Sequence, residues 1–179
     1  MSACSEAVSA GSPSSVAQAT TQPAPSAGSP SSPAGRRTAA EITAACPLVE
    51  TSEVDEAFSV SGATAEEAPS QKLANGGQAF VCSYTAGGED AAALVASVYE
   101  GNEVTPNQMI KAVMDKKAGA ERVSGIGEGA VYYADQDGTA TFSAVKVVGG
   151  TPVMVAVSGP ATADKDRVGV LVKHAVDKL

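Results

Sequence analysis

Two cysteines, Cys46 and Cys82, constrain the fold of this chain more than any other feature. Cys46 lies in the segment 45–56 (ACPLVETSEVDE), where a helix is expected to begin, and Cys82 lies in the strand-like run 80–84 (FVCSY). A disulfide between them would join a helix to a sheet and close a loop of about 37 residues, which stabilises by roughly 4 kcal/mol in the chain-entropy model. The alternative is two unpaired thiols, as expected in the cytosol.

The third cysteine, Cys4, lies in the sequence Met1-Ser2-Ala3-Cys4, which resembles the end of a bacterial lipobox. Ser2 and Ala3 would be the small residues before the cleavage point and Cys4 the lipidated residue, although Met1 stands where leucine is usual. Lipidation of Cys4 would leave an even number of cysteines, which resolves the parity problem that an odd count poses in a secreted protein. The alternative is a stray cysteine near a disordered N-terminus.

The basic and apolar parts of a secretory signal do not precede Cys4. We therefore expect either that translation starts upstream of Met1 or that the chain was cut at the cleavage site. Two or three acyl chains on Cys4, such as palmitate, suffice for stable anchoring. They would place the protein on the outer face of the cytoplasmic membrane. The sequence has no apolar run of about 18 residues, so no membrane span is predicted.

Composition divides the chain into a tether and a domain. Residues 5–35 are almost wholly Ser, Ala, Pro, Gly, Gln and Thr, so they have too little apolar surface to offset the entropy of ordering. We predict that residues 1–4 are a lipobox remnant, 5–38 a disordered linker and 39–179 one globular α+β domain. As a flexible coil, such a linker has a root-mean-square reach of about 30–35 Å.

Charge argues against nucleic-acid binding. The chain carries 12 basic and 20 acidic residues, and removal of Arg36, Arg37 and Glu6 leaves 10 basic and 19 acidic residues, a net charge of −9. Nucleic-acid binding needs a basic surface and usually aromatic stacking platforms. The domain's only adjacent basic pair is Lys116-Lys117, and aromatic residues are few. We therefore expect no nucleic-acid partner.

Hydrophobic patterning predicts the order α-ββ-α-βββ-α, an α+β fold with one antiparallel sheet of about five strands packed by three helices. The strands are expected at 78–84, 91–99, 130–135, 139–148 and 151–158. Residues 91–99 fit a helix or a strand, and the short turn before them favours a strand. The segment 62–77 is predicted to be a loop, with a short strand near 58–61.

Capping residues and apolar stripes locate the three helices. We expect Ser52, Thr105 and Thr162 to cap them. The inward faces are expected to be Val54, Ala57 and Phe58 in the first helix, Met109, Ile110, Val113 and Met114 in the second, and Val168, Leu171, Val172, Ala175 and Leu179 in the third. A methionine stripe at this spacing is typical of a core rather than of a ligand surface.

Two glycine-containing motifs invite a ligand-binding interpretation. The run Gly125-Ile126-Gly127-Glu128-Gly129 has a helix before it and a strand after it, the reverse of a dinucleotide-binding loop, so we predict a backbone kink. The run 135–138 (DQDG) resembles part of a calcium loop, but alignment on its glycine puts Tyr133 and Ala144 at positions that should be acidic. We predict a hairpin turn there. No metal or cofactor site is expected.

No arrangement of side chains predicts catalysis. His174 is the only histidine, so any Ser–His or Cys–His arrangement must use it, and we predict that it lies on a solvated helix surface beside Lys173. The acidic pairs Glu66-Glu67 and Glu89-Asp90 are predicted to lie in polar turns, where carboxylates are ordinarily solvated. The sequence predicts no catalytic residue.

Several short motifs resemble a family of actinobacterial envelope lipoproteins of unknown function. They are the helix opener at 45–54 (ACPLVETSEV), the strand at 80–84 (FVCSY) and the turn at 123–130 (VSGIGEGA). Val49 and a displaced Thr51 depart from the family's opener. The resemblance covers about residues 40–179 and implies a surface lipoprotein with this fold and disulfide. It implies no catalytic residues.

The function expected from these features is binding at the cell envelope. We predict a lipid-anchored extracytoplasmic protein, attached to the membrane through Cys4, whose domain binds an envelope protein or a small ligand without catalysis. The alternative is an envelope enzyme that uses acidic residues near the turn Gly125–Gly129. A purely structural component of the cell wall is a third hypothesis.

Overall fold

Helices and strands account for most of the described residues, which are 38–74 and 76–179 of a computed structural model. The predicted lipobox remnant, with Cys4, and nearly all of the predicted linker lie outside them. In chain order the elements are two short 3-10 helices (Ala39–Glu41 and Cys46–Leu48), α1 (Thr51–Phe58), β1 (Thr64–Lys72), β2 (Gln78–Ala86), β3 (Glu89–Val98), α2 (Pro106–Lys116), β4 (Glu121–Val123), β5 (Gly129–Ala134), β6 (Thr139–Val148), β7 (Thr151–Pro160) and α3 (Lys165–Asp177).

The seven strands of the described part form one sheet in the order β1-β2-β3-β7-β6-β5-β4. Every neighbouring pair is antiparallel. Two meanders, β1-β2-β3 and β4-β5-β6-β7, therefore join where β3 pairs with β7. The predicted α+β class with a single antiparallel sheet is confirmed, and residues 91–99 form mainly strand. The predicted number of five strands is wrong, because β1 and β4 were not expected.

Strand β1 occupies much of the segment predicted to be a loop. It pairs only with β2, and eight of its nine residues are exposed. An edge strand of this kind needs no apolar face, so its sequence shows no alternation. Pro69 lies where the β1–β2 register shifts between Ala68 and Gln71, and a bulge at an edge is where a strand tolerates proline. Glu66 and Glu67 therefore lie on a strand, and the prediction of a turn was wrong.

The predicted strand near 58–61 is also not formed. Helix α1 ends at Phe58, and Ser59 takes a left-handed φ of 55°. The Asp55 carboxylate accepts hydrogen bonds from the backbone of Gly62 at 3.0 Å and Ala63 at 2.9 Å. This acid therefore fixes the turn from α1 into β1.

Acidic residues begin two of the helices where hydroxyl residues were predicted. Glu50, not Ser52, is the N-cap of α1. Asp164, not Thr162, is the N-cap of α3, and its carboxylate accepts from two backbone N–H groups. A carboxylate satisfies the unpaired N–H groups of a first turn and also interacts favourably with the positive end of the helix dipole. The predicted cap of α2, Thr105, is confirmed.

Helices α1 and α3 cover one face of the sheet. The predicted alternation in β2 is confirmed, since Phe80, Cys82 and Tyr84 are all buried on this face. The predicted inward residues of α1 and α3 are likewise buried. No α-helix in the described ranges has both the length and the apolar character needed to cross a membrane.

Helix α2 covers only part of the opposite face. It packs on β4, β5 and β6, where Met109 and Ile110 form a small core with Val131 and Val145. Strands β3 and β7 carry half-buried side chains on this face, among them Val95 and Met154, and Met154 packs at the edge of the small core. The flank of α2 therefore borders an open strip of sheet.

Candidate ligand-binding groove

Cys46 and Cys82 form a disulfide with a Cα–Cα distance of 4.9 Å, as predicted. The segment that carries Cys46 is also held by Glu67 of β1. The Glu67 carboxylate accepts the backbone N–H of Ala45 at 2.8 Å and that of Cys46 at 2.7 Å. Covalent and charge-assisted bonds thus fix the same few residues to two adjacent strands.

Tyr84, on β2, makes a third attachment between the sheet and the segment that carries Cys46. Its buried hydroxyl donates a hydrogen bond to the Val49 carbonyl at 3.2 Å. Burial raises the pKa of Tyr84 to about 12, and the negative charges of Glu67, Glu53 and Glu50 add to the effect. The hydroxyl is therefore protonated at neutral pH and acts as a structural donor.

The ligand atoms of Cys46, Glu67 and Cys82 lie within 4.8 Å of one another. This set has the residue types of a metal site, but its two sulfurs are joined in the disulfide. A metal binds the thiolate form of cysteine, so the cluster has a structural role in the oxidised protein.

The turn Gly125–Gly129 contains the predicted backbone kink. Gly127 has a φ of 56°, and a Cβ there would lie 2.3 Å from the Val145 carbonyl oxygen. The Glu128 carboxylate accepts the backbone N–H of Val147 at 2.8 Å, and Glu121 forms an ion pair with Lys165. Both nearby acids thus have structural partners, which does not favour the alternative of an enzyme that uses them.

The run 135–138 forms the predicted hairpin turn between β5 and β6. The Asp137 carboxylate accepts the backbone N–H of Thr139 at 2.9 Å, and Gly138 has the positive φ of 85° that the turn requires. The Asp137 carboxylate therefore helps to close the turn.

His174 lies on the exposed side of α3, as predicted, with 51% of its side chain exposed. Its Nδ1 lies 2.9 Å from the Glu53 carboxylate of α1, a contact that the sequence did not indicate. Within the described ranges no hydroxyl or thiol side chain hydrogen-bonds the imidazole. The pair therefore lacks a nucleophile and ties α1 to α3.

A groove of about 360 Å³ runs along the flank of α2 beside the open strip of sheet. We call it the α2 groove. Its lining combines aromatic, methionine and aliphatic side chains with two lysines and a glutamine: Tyr99, Val104, Gln108, Met109, Ala112, Val113, Lys116, Lys117, Tyr133 and Met154. A concave, mostly apolar site with a few polar groups is the usual form of a small-molecule site.

The α2 groove is elongated. The residues of α2 that line it extend from Gln108 to Lys116, a rise of roughly 12 Å along the helix. On the sheet, Met154 lies opposite Val145, and Val145 lies opposite Gly129. Tyr133 is four residues further along β5, about 13 Å away. The lining residues of the helix and of the sheet therefore extend over similar distances.

The two lysines of the groove differ in their partners. Lys117 forms an ion pair with Asp135 at 2.8 Å and lies over the Tyr133 ring, 4.8 Å from its centroid. The Asp135 hydrogen bond raises the pKa of Lys117. Lys116 is exposed and makes no ion pair within the described part of the chain. Lys116 is therefore the cation of the groove whose charge is left unbalanced.

Two other concavities are less suited to a ligand. The cleft between α1 and α3, which includes Glu53 and His174, has a volume of about 120 Å³, below the usual size of a ligand site. A wider cavity of about 580 Å³ lies between the segment 39–43 and the β1–β2 turn. Its lining includes both Lys72 and Glu100, so it offers a ligand no single sign of charge.

The sequence did not predict this groove. The methionine stripe of α2 was assigned to the core, which is right for Met109, although Met109 also lines the groove. Tyr133 and Met154 lie on β5 and β7, and Tyr99 directly follows β3. Their convergence depends on the pairing of β3 with β7. The adjacent pair Lys116-Lys117 was the one signal in the sequence that pointed to this place.

Comparisons with protein-family models, with curated proteins and with solved structures found no match. The resemblance to envelope lipoproteins therefore stays a prediction from the sequence motifs. The geometry and the chemistry of the α2 groove are therefore what indicates a function.

Proposed function

We propose that this chain is a non-catalytic binding module of the cell envelope, held to the outer face of the cytoplasmic membrane by lipid on Cys4. The observation that carries the binding function is the α2 groove, an elongated concavity of about 360 Å³ with an aromatic and aliphatic lining. The proposed ligand is a small molecule with an apolar body.

The composition of the groove supports binding through burial of apolar surface. Tyr99, Tyr133 and Met154 supply large contact areas, and burial of apolar area contributes about 25 cal/mol per Å². The tyrosine rings carry polar hydroxyls at their ends, a combination favoured where one side of a contact is apolar and the other is wet.

The disulfide supports the proposed compartment. Disulfides persist in oxidising environments outside the cytoplasm and are rare inside it. The Cys46–Cys82 bond joins two segments that also meet through hydrogen bonds from Glu67 and Tyr84. The joint is therefore well suited to a domain that must stay folded at an exposed location.

Binding can be tested by titration with Nile red, a neutral dye whose fluorescence rises in apolar sites. We expect saturable binding to the full chain and loss of that binding in Ala112→Trp, because an indole at this exposed groove position would fill the space. Val170→Trp is the matched control, since Val170 is 53% exposed on α3. Equal binding by both variants would contradict the proposed site.

Anchoring can be tested in cells by metabolic labelling with an alkyne analogue of palmitate. The chain, expressed in cells behind an added lipoprotein export signal, should carry the label and lose it in Cys4→Ala. Cys46→Ala is the control, because that residue should not be acylated. Label that is unchanged in Cys4→Ala would overturn the proposed anchor without affecting the groove.

A further inference from the structure

We propose that the α2 groove selects an elongated amphipathic anion of the fatty-carboxylate class, with Lys116 as the counter-charge for its head group. The inference rests on the proposed binding function and adds the class of the ligand. Its basis is the distribution of charge around the groove.

Charge is segregated at the groove. The domain carries 19 acidic and 10 basic residues, yet the residues that line the α2 groove include two lysines and no acid. Asp135, beside the groove, is paired with Lys117. A lining with two lysines and no carboxylate favours anionic over cationic ligands, since the charged side chains that line the groove are all positive.

Lys116 supplies the unpaired positive side chain at its end of the groove. It is the last residue of α2, where the helix dipole is equivalent to roughly half a negative charge. Lys117 is paired with Asp135 and also interacts with the charge of Asp137, so Lys116 is the lysine that remains for a head group. Without Lys116 this end would be negative.

The opposite end of the groove, at Gln108, has no charged side chain in its lining. The Gln108 Oε1 accepts from the backbone N–H and the hydroxyl of Thr105, both at 2.9 Å. The amide oxygen is therefore used within the capping contact of α2. The lining between the two ends is apolar, with Met109, Ala112 and Val113 on the helix side.

The length of the groove fits a single extended chain. The helix and the sheet each give it a length of roughly 12–13 Å, and its cross-section is bounded by α2 on one side. An acyl chain with one charged end can lie along these residues with its head group at Lys116. The head group would stay at the solvent-exposed rim near Lys116, where its hydration is largely kept.

The test is displacement of Nile red from the full chain by three ligands with the same alkyl chain: octanoate, octanol and octylammonium. We expect octanoate to bind more tightly than octylammonium. In Lys116→Gln, the affinity for octanoate should fall about two- to fivefold, which is the range of an exposed ion pair. The affinity for octanol should be unchanged. Lys72→Gln is the matched control, because Lys72 is exposed, makes no ion pair in the described ranges and lies on β1, away from the groove.

The outcomes separate this inference from the proposed function. A lower affinity for octanoate in Lys116→Gln, but not in Lys72→Gln, would support both the binding function and the anionic class of ligand. If Nile red binds but the original chain, Lys116→Gln and Lys72→Gln have the same affinity for octanoate, the binding function stands and the anionic class is overturned. An equal loss of octanoate affinity in Lys72→Gln would also overturn the anionic class, since the net charge of the domain would then explain the effect. If Ala112→Trp leaves Nile red binding intact, the proposed function itself fails.

Discussion

Glu67 lies directly opposite Cys82 in the β1–β2 pairing, and its carboxylate binds the backbone of Cys46, the residue to which Cys82 is covalently joined. The edge strand, its neighbour and the entry segment of the domain therefore meet at one point. The disulfide alone would fix the segment at a single atom pair. The carboxylate adds a fixed orientation, because it accepts from two successive N–H groups.

Loss of the Glu67 carboxylate should destabilise the domain. Three charge-assisted contacts at 2.7–3.0 Å hold Ala45 and Cys46, so we expect Glu67→Gln to lower the free energy of unfolding by about 1 kcal/mol and Glu67→Ala by about 2 kcal/mol. Urea unfolding followed by circular dichroism measures both. Glu66→Gln, which removes the neighbouring exposed charge, should change stability by less than about 0.5 kcal/mol. Equal losses in the Glu66 and Glu67 variants would contradict the proposed role of Glu67.

Removal of the disulfide should be similarly costly. In the double variant Cys46→Ser, Cys82→Ser we expect a loss of about 2–4 kcal/mol in the free energy of unfolding. Intact mass with and without a reductant checks the bond in the original chain, because reduction adds two hydrogen atoms. Two free thiols in protein recovered from an oxidising compartment would refute the pairing.

The contact between α1 and α3 should make stability depend on acid pH. Burial raises the pKa of Glu53, but hydrogen bonds from the Glu50 backbone, His174 and Lys178 outweigh it and leave that pKa below its ordinary value of 4.5. A carboxyl whose pKa is lowered by folding stabilises the folded state above its unfolded pKa and loses that contribution as pH falls through its folded pKa.

Glu53→Gln should therefore flatten the loss of stability below about pH 4.5. Melting temperatures measured from neutral pH down to about pH 3 would show the change, with Glu66→Gln as the control that removes a charge without a hydrogen bond. If the two variants have the same acid profile, the Glu53 contacts do not contribute to folding stability.

The sequence allowed prediction of elements whose pattern is imposed by burial. Phe80, Cys82 and Tyr84 alternate because β2 has one face in the core, and the apolar stripe of α3 packs onto the same core. Strand β1 could not be predicted, because a solvated edge strand is specified by its partner rather than by its own residues. The groove could not be predicted either, because it depends on the pairing of β3 with β7. The separation of Tyr99 and Tyr133 along the chain does not indicate that pairing.

The glycine turn before β5 offers a test that separates backbone strain from close packing. Gly125 and Gly127 both have a positive φ, but only at Gly127 would a Cβ meet the Val145 carbonyl, at 2.3 Å, while the space at Gly125 is open. We expect Gly125→Ala to cost about 1–2 kcal/mol from the left-handed conformation, and Gly127→Ala to cost about 1–3 kcal/mol more from overlap with β6. Chemical denaturation of both variants gives the difference. Equal costs would mean that the backbone conformation alone explains both glycines and that the approach to Val145 relaxes without penalty.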